Sequence, residues 1–550
     1  MMAWYEEAII YQIYPKSFND SNGDGIGDLE GIRQKIPYLQ ALGINTVWLN
    51  PVFVSPQVDN GYDVANYYAI DPTMGTMADM ERLIAALHEA GIRVLLDFVL
   101  NHTSDQHPWF QDALRSRDSL YRDYYIFAGE NGRAPNNWAS FFGGSAWTAA
   151  PDASGQSYLH LFDAKMPDLN WRNPNLRYAM GDVAAFWLDK GIDGLRLDAF
   201  IHIAKADLAQ DFPSTQAPVL AEPFIANLPA VKQWLRPLVS RIKSDYPETF
   251  LLGEAASADV PQAAAYTARD AGLLDSVISF RMFADDQKGD DLRLPALYQP
   301  KPLAPLAFKQ AQVQWQQGLG DALPVLYWNN HDMARVATRY GHHDPTASKS
   351  LAMLMYLQRG TPLLYYGEEL GLENLALPAT AYQTDPSVAL FIEQAQAVGY
   401  SAQQALAMVN QTHHLAARGP MPWTAGVNNG FSPQTPWLSD GQQAQVTVSQ
   451  EEDANDSVLA FYRRLLQLKQ TALFTRGKEQ LLATLPSVYA YRRQLAGQAA
   501  VVAVNLAATP ATLAVTSTHT GLAVGAVSRE AHQLTLGAYA GAVVTEEGKK

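Results

Sequence analysis

DGLRLDAF, residues 193–200, decides how the rest of this 550-residue chain is read. Alternation with a period of two sends Gly194, Arg196 and Asp198 to one face of a strand and Leu195 and Leu197 to the other. One face therefore packs while the other carries charge. A guanidinium two residues from a carboxylate favours the ionised acid, which suits a nucleophile better than a proton donor. Taken alone, the pair reads equally well as a buried ion pair, because charged groups inside proteins are nearly always partnered. The rest of the chain breaks that tie.

Seven further apolar runs with strand character flank it. AIIYQIYP begins at Ala8, NTVWLNP at Asn45 and RVLLDFVLNH at Arg93; TFLLGEA from Thr249, LLDSVISF from Leu273, ALPVLYWNNHD from Ala322 and TPLLYYGEE from Thr361 follow. Between several of them lie stretches with apolar spacing near 3.6, such as residues 77–90 and 176–190, each ended by a glycine, Gly91 and Gly191. Eight buried strands alternating with helices predict an α/β fold, a closed (β/α)8 TIM barrel. About 90 residues separate the third run from the fourth, and a connection of that length is rarely structureless. The expected organisation is a first barrel part over residues 1–101, a small inserted domain over 102–170, a second barrel part over 171–475, and a C-terminal antiparallel β-sandwich over 476–550, where short alternating strands such as VYAYRRQL and AAVVAVNL appear. A further insertion is expected over about 371–440, before a last helix that starts near Ser457.

Forty Lys and Arg against 55 Asp and Glu leave a net charge of −15, which argues against nucleic acid or an anionic membrane as partner. The absence of cysteine excludes disulfides and thiolate chemistry. No stretch reads as a secretory signal or a membrane span, so a cytoplasmic protein acting on small molecules, as a monomer or homodimer, is the expectation.

In such barrels the reactive groups sit at the C-terminal ends of strands, and acids are found there: Asp97 in the third run, Asp198 ending the fourth, Glu254 the fifth and Asp332 following the seventh. His102 and His331 accompany them as candidate donors to a polar ligand. An acid paired with Arg196 and a second acid in a less polar setting divide the labour of a retaining glycosidase: Asp198 as nucleophile, Glu254 as acid/base, Asp332 opposing the positive charge of an oxocarbenium-like transition state. An aromatic content of 11% agrees with stacking on sugar faces.

DFVLNH at residues 97–102, GLRLDAF at 194–200, the Glu254 segment and NNHD at 329–332 resemble the four motif regions of glycoside hydrolase family 13, the α-amylase family. YQIYPKSF, DSNGDGIGDL, NGYDVANYYAIDPTMGT, NHTSDQHPWF and YYGEELGL resemble its oligo-1,6-glucosidase, dextran glucosidase and α-glucosidase branch. The resemblance implies the same three catalytic roles and a subsite for the non-reducing glucose built from Asp59, Tyr62, His102, Arg196, His331 and Arg418, with Phe142 and Phe162 nearby. It further implies an Asp59–Arg418 pair that closes the pocket, making the enzyme exo-acting. Asp20, Asn22, Asp24 and Asp28 recur around Gly25 as in the first part of an EF-hand loop, though Gly31 stands at the twelfth position. As in the related glucosidases, one structural Ca²⁺ or Mg²⁺ is expected there, held with the Ile26 carbonyl; no organic cofactor is expected.

The expected activity is release of α-glucose from short α-glucosides, with or without transglycosylation. Relatives specific for α-1,6 bonds carry valine after the nucleophile and read QPDLN, whereas this chain has Ala199 and Met166 in MPDLN, which leans toward α-1,4 or relaxed linkage. HHLAARGPMPW at 413–423 also departs from the SRDNARTPMQW of relatives. Oligo-1,6-glucosidase or dextran glucosidase is the alternative. Trehalose-6-phosphate hydrolysis, sucrose isomerisation and a catalytically silent transporter-ancillary protein are the minor ones.

Overall fold

A computed structural model describes residues 3–215, 217–268, 273–283, 289–444, 446–516 and 519–546. All eight runs form strands: β1 (Ile10–Ile13), β2 (Thr46–Leu49), β3 (Arg93–Val99), β4 (Gly194–Asp198), β5 (Phe250–Glu254), β6 (Ser276–Ile278), β7 (Val325–Leu326) and β8 (Thr361–Tyr365). Every neighbouring pair is parallel, in the order β6-β5-β4-β3-β2-β1-β8-β7. Between β6 and β7 a side chain helps to complete the circle, with Ser276 Oγ donating to the Leu323 carbonyl at 2.8 Å. Parallel strands are covered on both faces, and residues 94–99 of β3 are accordingly all buried.

The helices outside the barrel follow their sequence signals. Thr76 and Asp79 form a reciprocal cap at the start of Met77–Glu89, which turns Met80, Leu83, Ile84 and Leu87 inward. Gly91 ends it at φ +74°, a left-handed conformation that a Cβ would strain. Pro174–Asp189 opens on an Asn173 cap and a first-turn proline and buries Leu176, Met180, Val183 and Trp187.

The excursion after β3 contains a three-stranded antiparallel sheet (Phe127–Ala128, Ser157–Leu159, Trp147–Ala149). Its core is shared with the segment after β4: Trp138, Trp147, Leu159 and Leu161 pack with Ala221 and Ile225. Asn137 fastens the two segments by accepting the Phe212 N–H and donating to the Phe212 carbonyl, both at 2.9 Å. After β8, helices Pro386–Ala397 and Ala402–Thr412 enclose a separate core around Leu377, Tyr382, Phe391 and Val409.

The C-terminal region is a five-stranded antiparallel sheet facing a three-stranded one. Its central strand, Gln498–Asn505, works on both faces: Val501 and Ala503 enter the sandwich core, while Val502 and Val504 join the main core against the barrel. The preceding strand, Val488–Leu495, divides likewise, with Val488 and Ala490 on one side and Tyr489 and Tyr491 on the other. Among the described residues no helix is long and apolar enough to cross a membrane.

Candidate active site

Arg196, fully buried in β4, is the hub of the acidic cluster. Its Nη1 bonds to Asp198 and, at 2.9 Å, to Asp97 Oδ1, while Nη2 lies 2.9 Å from Glu254 Oε2. Strand register explains the convergence. Arg196 is level with Asp97 on β3 and Leu252 on β5, so Asp198 and Glu254 stand one pleat further up, at the strand ends. Asp97 therefore departs from the expected rim position: it is wholly enclosed one layer down, where Trp48 Nε1 and Tyr62 Oη also donate to it at 3.1 and 2.8 Å. It anchors Arg196 from below.

Ala199, directly after Asp198, adopts φ +47°, ψ +23° and points its N–H at Glu254 Oε2, 3.2 Å away. On the opposite wall His331 stacks on Tyr62, with ring centres 5.3 Å apart and planes 7° from parallel. Its Nδ1 accepts from Gln12 at 2.7 Å, and its Nε2 lies 2.6 Å from Tyr62 Oη. Burial and the charges of Arg418 and Arg196 hold His331 well below its ordinary pKa, so the ring is neutral. Both its nitrogens are engaged by the chain. His102 differs: it too is buried and is held down to about 4 by that burial, but its Nε2 has no partner, as expected of a donor awaiting ligand.

Four carboxylates, Asp97, Asp198, Glu254 and Asp332, share two guanidiniums, Arg196 and Arg418. Burial raises Asp198 well above the ordinary carboxylate range; Arg196 opposes the rise, and Glu254, Asp97 and Asp332 add to it. The sequence reading has Arg196 favouring the ionised Asp198; in the structure that pull is outweighed by burial and three like charges. Burial, then Glu254, push Asp332 to about 7, although a third of its side chain is open. Burial thus disfavours the ionised forms of Asp97, Asp198 and Asp332 together.

Arg418 is buried; its Nη2 lies 3.2 Å from Asp332 Oδ1 and its Nε donates to the His331 carbonyl at 2.8 Å. The expected closing pair is not formed: among the described residues Arg418 ion-pairs with Asp332 and not with Asp59, which feels Arg418 through space and is raised by burial to about 6. Phe162 lies against His102 with centres 5.0 Å apart, and the half-exposed Phe142 meets Phe162 edge-on at 5.8 Å. Of the eleven predicted catalytic and sugar-binding residues, Arg196 lies one pleat below the rim, level with Asp97, and the other ten fall at or just beyond the C-terminal ends of the barrel strands or on the loops over them.

Residues 12–477 match the model of the alpha amylase catalytic domain, most of the chain. The chain belongs to the alpha-amylase family. It is therefore a glycoside hydrolase. It is 37% identical to an oligo-1,6-glucosidase of Halalkalibacterium halodurans over 512 residues, covering 91% of this chain and 90% of the relative. It is 39% identical to a trehalose-6-phosphate hydrolase of Escherichia coli, covering 92% and 91%. A solved structure described as a family GH13_31 enzyme superposes with a TM-score of 0.93 at 56% identity, covering 99% of this chain and all of that one.

Several participants in this family site were not singled out by the sequence reading. Lys205 is buried and pairs with Asp168 at 2.6 Å and with Asn101 at 2.8 Å, bracing the backbone on either side of His102. Phe141 and His202 extend the aromatic rim around Phe162. Gln12, within β1 and inside the YQIYPKSF motif, orients His331, and the motif together with the alternation of β1 could have marked it.

The loop over residues 20–28 is held by its own backbone. Asp20 accepts the N–H groups of Asn22, Gly23 and Gly25, Asn22 that of Asp24, and Asp24 that of Ile26. Asp28 accepts from Ser21 and caps Leu29–Gln34. Among the described residues no three acidic or histidine side chains gather closely enough to hold a metal ion by themselves. A cation here needs the neutral oxygens of Asn22 and Ile26 as well, a donor set that fits a hard, oxygen-ligated ion.

Proposed function

We propose that the protein is a retaining, exo-acting α-glucosidase with α-1,4 or relaxed linkage preference. The observation that carries the reading is the Arg196 guanidinium in contact with both Asp198 and Glu254, since one small cation touching both acids favours the short separation of a retaining pair. Asp198 attacks the anomeric carbon while Glu254 gives its proton to the departing glycosidic oxygen. The C–O bond breaks and a glycosyl ester forms. Glu254 then takes a proton from water, which attacks the same carbon and frees Asp198. Asp332, beside the anomeric centre, opposes the positive charge on the ring.

The pocket for the non-reducing glucose uses Tyr62 and Phe162 for contact, His102 Nε2 as donor, and Asp59 and Arg418 at its closed end. Substrate hydroxyls arriving between the last two would bridge Asp59 to Arg418, which is itself held by Asp332. The small side chain of Ala199 and the apolar Met166 favour α-1,4 or relaxed linkage; the 37%-identical oligo-1,6-glucosidase keeps α-1,6 cleavage as the competing reading. Maltose, isomaltose, sucrose, trehalose, trehalose 6-phosphate and maltooligosaccharides, run side by side, test it. Glucose of initially α configuration is expected from the non-reducing end, with Asp198→Ala about 10⁴-fold slower or worse. Initial β-glucose overturns the double displacement, and turnover of trehalose 6-phosphate alone overturns the substrate class. The loop over 20–28 is proposed to take one Ca²⁺ or Mg²⁺ through Asp20, Asn22, Asp24, Asp28 and the Ile26 carbonyl.

A further inference from the structure

β1 lies between β2 and β8 in the barrel, so the segment that leaves its C-terminal end runs between the loops that leave the other two. That segment is Tyr14 and the short helix Pro15–Phe18. On the β8 side it reaches Arg418: the guanidinium carbon lies 5.3 Å from the centre of the Tyr14 ring, and Ser17 Oγ donates to the Arg418 carbonyl at 2.6 Å. On the β2 side Lys16 Nζ donates to Gln57 Oε1 at 3.3 Å and to Asn60 Oδ1 at 3.0 Å. One turn of chain thus touches Arg418 and the residues on either side of Asp59.

The turn that carries Asp59 needs support. Gln57 and Asn60 adopt φ +64° and +50°, left-handed values that residues with a Cβ keep only where their surroundings impose them. Asp63 accepts the N–H groups of Val58 and Asp59 and the Ser55 hydroxyl. The Asp59 carbonyl accepts the Tyr62 N–H at 3.1 Å, which ties the turn to the wall formed by Tyr62 and His331. Those contacts are local to the turn, whereas Lys16 brings its two bonds from the loop of another strand. Lys16 is itself fixed: its ammonium lies 4.2 Å from the centre of the Trp437 ring, which stacks on Tyr14 with planes 22° apart and donates through Nε1 to Ser17 Oγ at 2.9 Å. Burial and then Arg418 lower the ammonium to about 8, against Asp71 and Asp63, so it is charged at neutral pH.

We propose that Lys16 is a positioning residue for the closed end of the glucose pocket: by holding Gln57 and Asn60 it sets Asp59 at the distance from Arg418 that a non-reducing glucose bridges. This rests on the α-glucosidase reading. Lys16 acts through Asp59 and touches neither the sugar nor the reacting atoms.

Steady-state kinetics of Lys16→Met, Lys16→Arg and Asn60→Gly on the full chain test it, with p-nitrophenyl α-glucoside as substrate and glucose as competitive inhibitor. Methionine keeps an apolar stem over Trp437 without the donors, arginine keeps donors, and glycine keeps the left-handed backbone at residue 60 without the amide. In Lys16→Met the KM and the glucose Ki are each expected to rise roughly tenfold, the order of one lost charge-assisted hydrogen bond, with kcat within about threefold. Lys16→Arg should recover most of the loss. Asn60→Gly should raise KM in the same direction, and combining it with Lys16→Met should cost less than the product of the two, because both remove one contact. A lowered melting temperature with KM and Ki unchanged makes Lys16 a residue of stability alone and overturns the assignment, as does a kcat loss at unchanged KM or a full product of losses in the double variant. If Lys16→Met does not fold, Asn60→Gly decides, and an unchanged KM there overturns it. A wild type inert on every α-glucoside overturns the functional reading and this assignment with it, an outcome visible before any variant is made.

Discussion

Ala199 carries more than its size suggests. A left-handed residue with a Cβ costs roughly 1–2 kcal/mol relative to the ordinary backbone regions, and a branched side chain fits that region worse still. The strain persists because the backbone is used on both sides: the N–H reaches Glu254 and the carbonyl accepts from His202 at 3.0 Å. The residue after Asp198 thus links it to the second acid while its side chain edges the site. Ala199→Val is expected to destabilise the protein by about 1–2 kcal/mol, read as a lower melting temperature. It should also raise the isomaltose-to-maltose ratio of kcat/KM severalfold. A ratio that does not move assigns linkage choice to other residues, Met166 first.

Among elements, the 20–28 loop is organised by side chains that each answer a backbone N–H two residues on, a pattern that orders a loop and also turns oxygens inward. Spacing alone made it resemble a calcium loop; the structure adds that Asp28 is already committed to Ser21 and to a helix cap. Binding of an ion to the folded state alone raises stability by mass action. Chelator should therefore lower the melting temperature and added Ca²⁺ restore it, with Asp24→Ala abolishing the difference. Identical melts with and without chelator would leave the hydrogen bonds as the loop's whole support. The excursion after β3 shows the limit of reading elements one at a time: its aromatic composition marked a packed unit, but Ala206, Leu208, Phe212, Ala221, Phe224 and Ile225 of its core come from beyond β4.

At the scale of the whole molecule, the barrel is tied to the helix Val458–Lys469 through two adjacent buried acids after β8. Glu368 accepts from Tyr356 and, at 2.9 Å, from Tyr462 of Val458–Lys469; Glu369 accepts from Tyr11 of β1 at 2.7 Å and from Tyr38 at 2.5 Å. Burial lifts Glu368 to about 7, against about 4.5 when unfolded. The folded state therefore binds the extra proton between these values, and this contribution to stability is full below about pH 4.5 and lost as pH rises through 7. Glu368→Gln keeps both tyrosine donors without the charge. It should stabilise the protein at pH 8 by on the order of 1–3 kcal/mol, with little gain at pH 4.5, as measured by urea unfolding at both pH values. The sequence by itself determined the eight strands, their parallel order in a barrel and the positions of Asp198, Glu254 and Asp332, because buried parallel strands are continuous apolar runs and reactive groups must follow their C-terminal ends. It also marked the aromatic and histidine positions that carry a family motif. Only the tertiary structure decided that Asp97 lies beneath the site and that Arg418 turns to Asp332 instead of Asp59. Those are matters of pleat level, side-chain direction and contact between segments far apart in the chain, and no local period in the sequence encodes them.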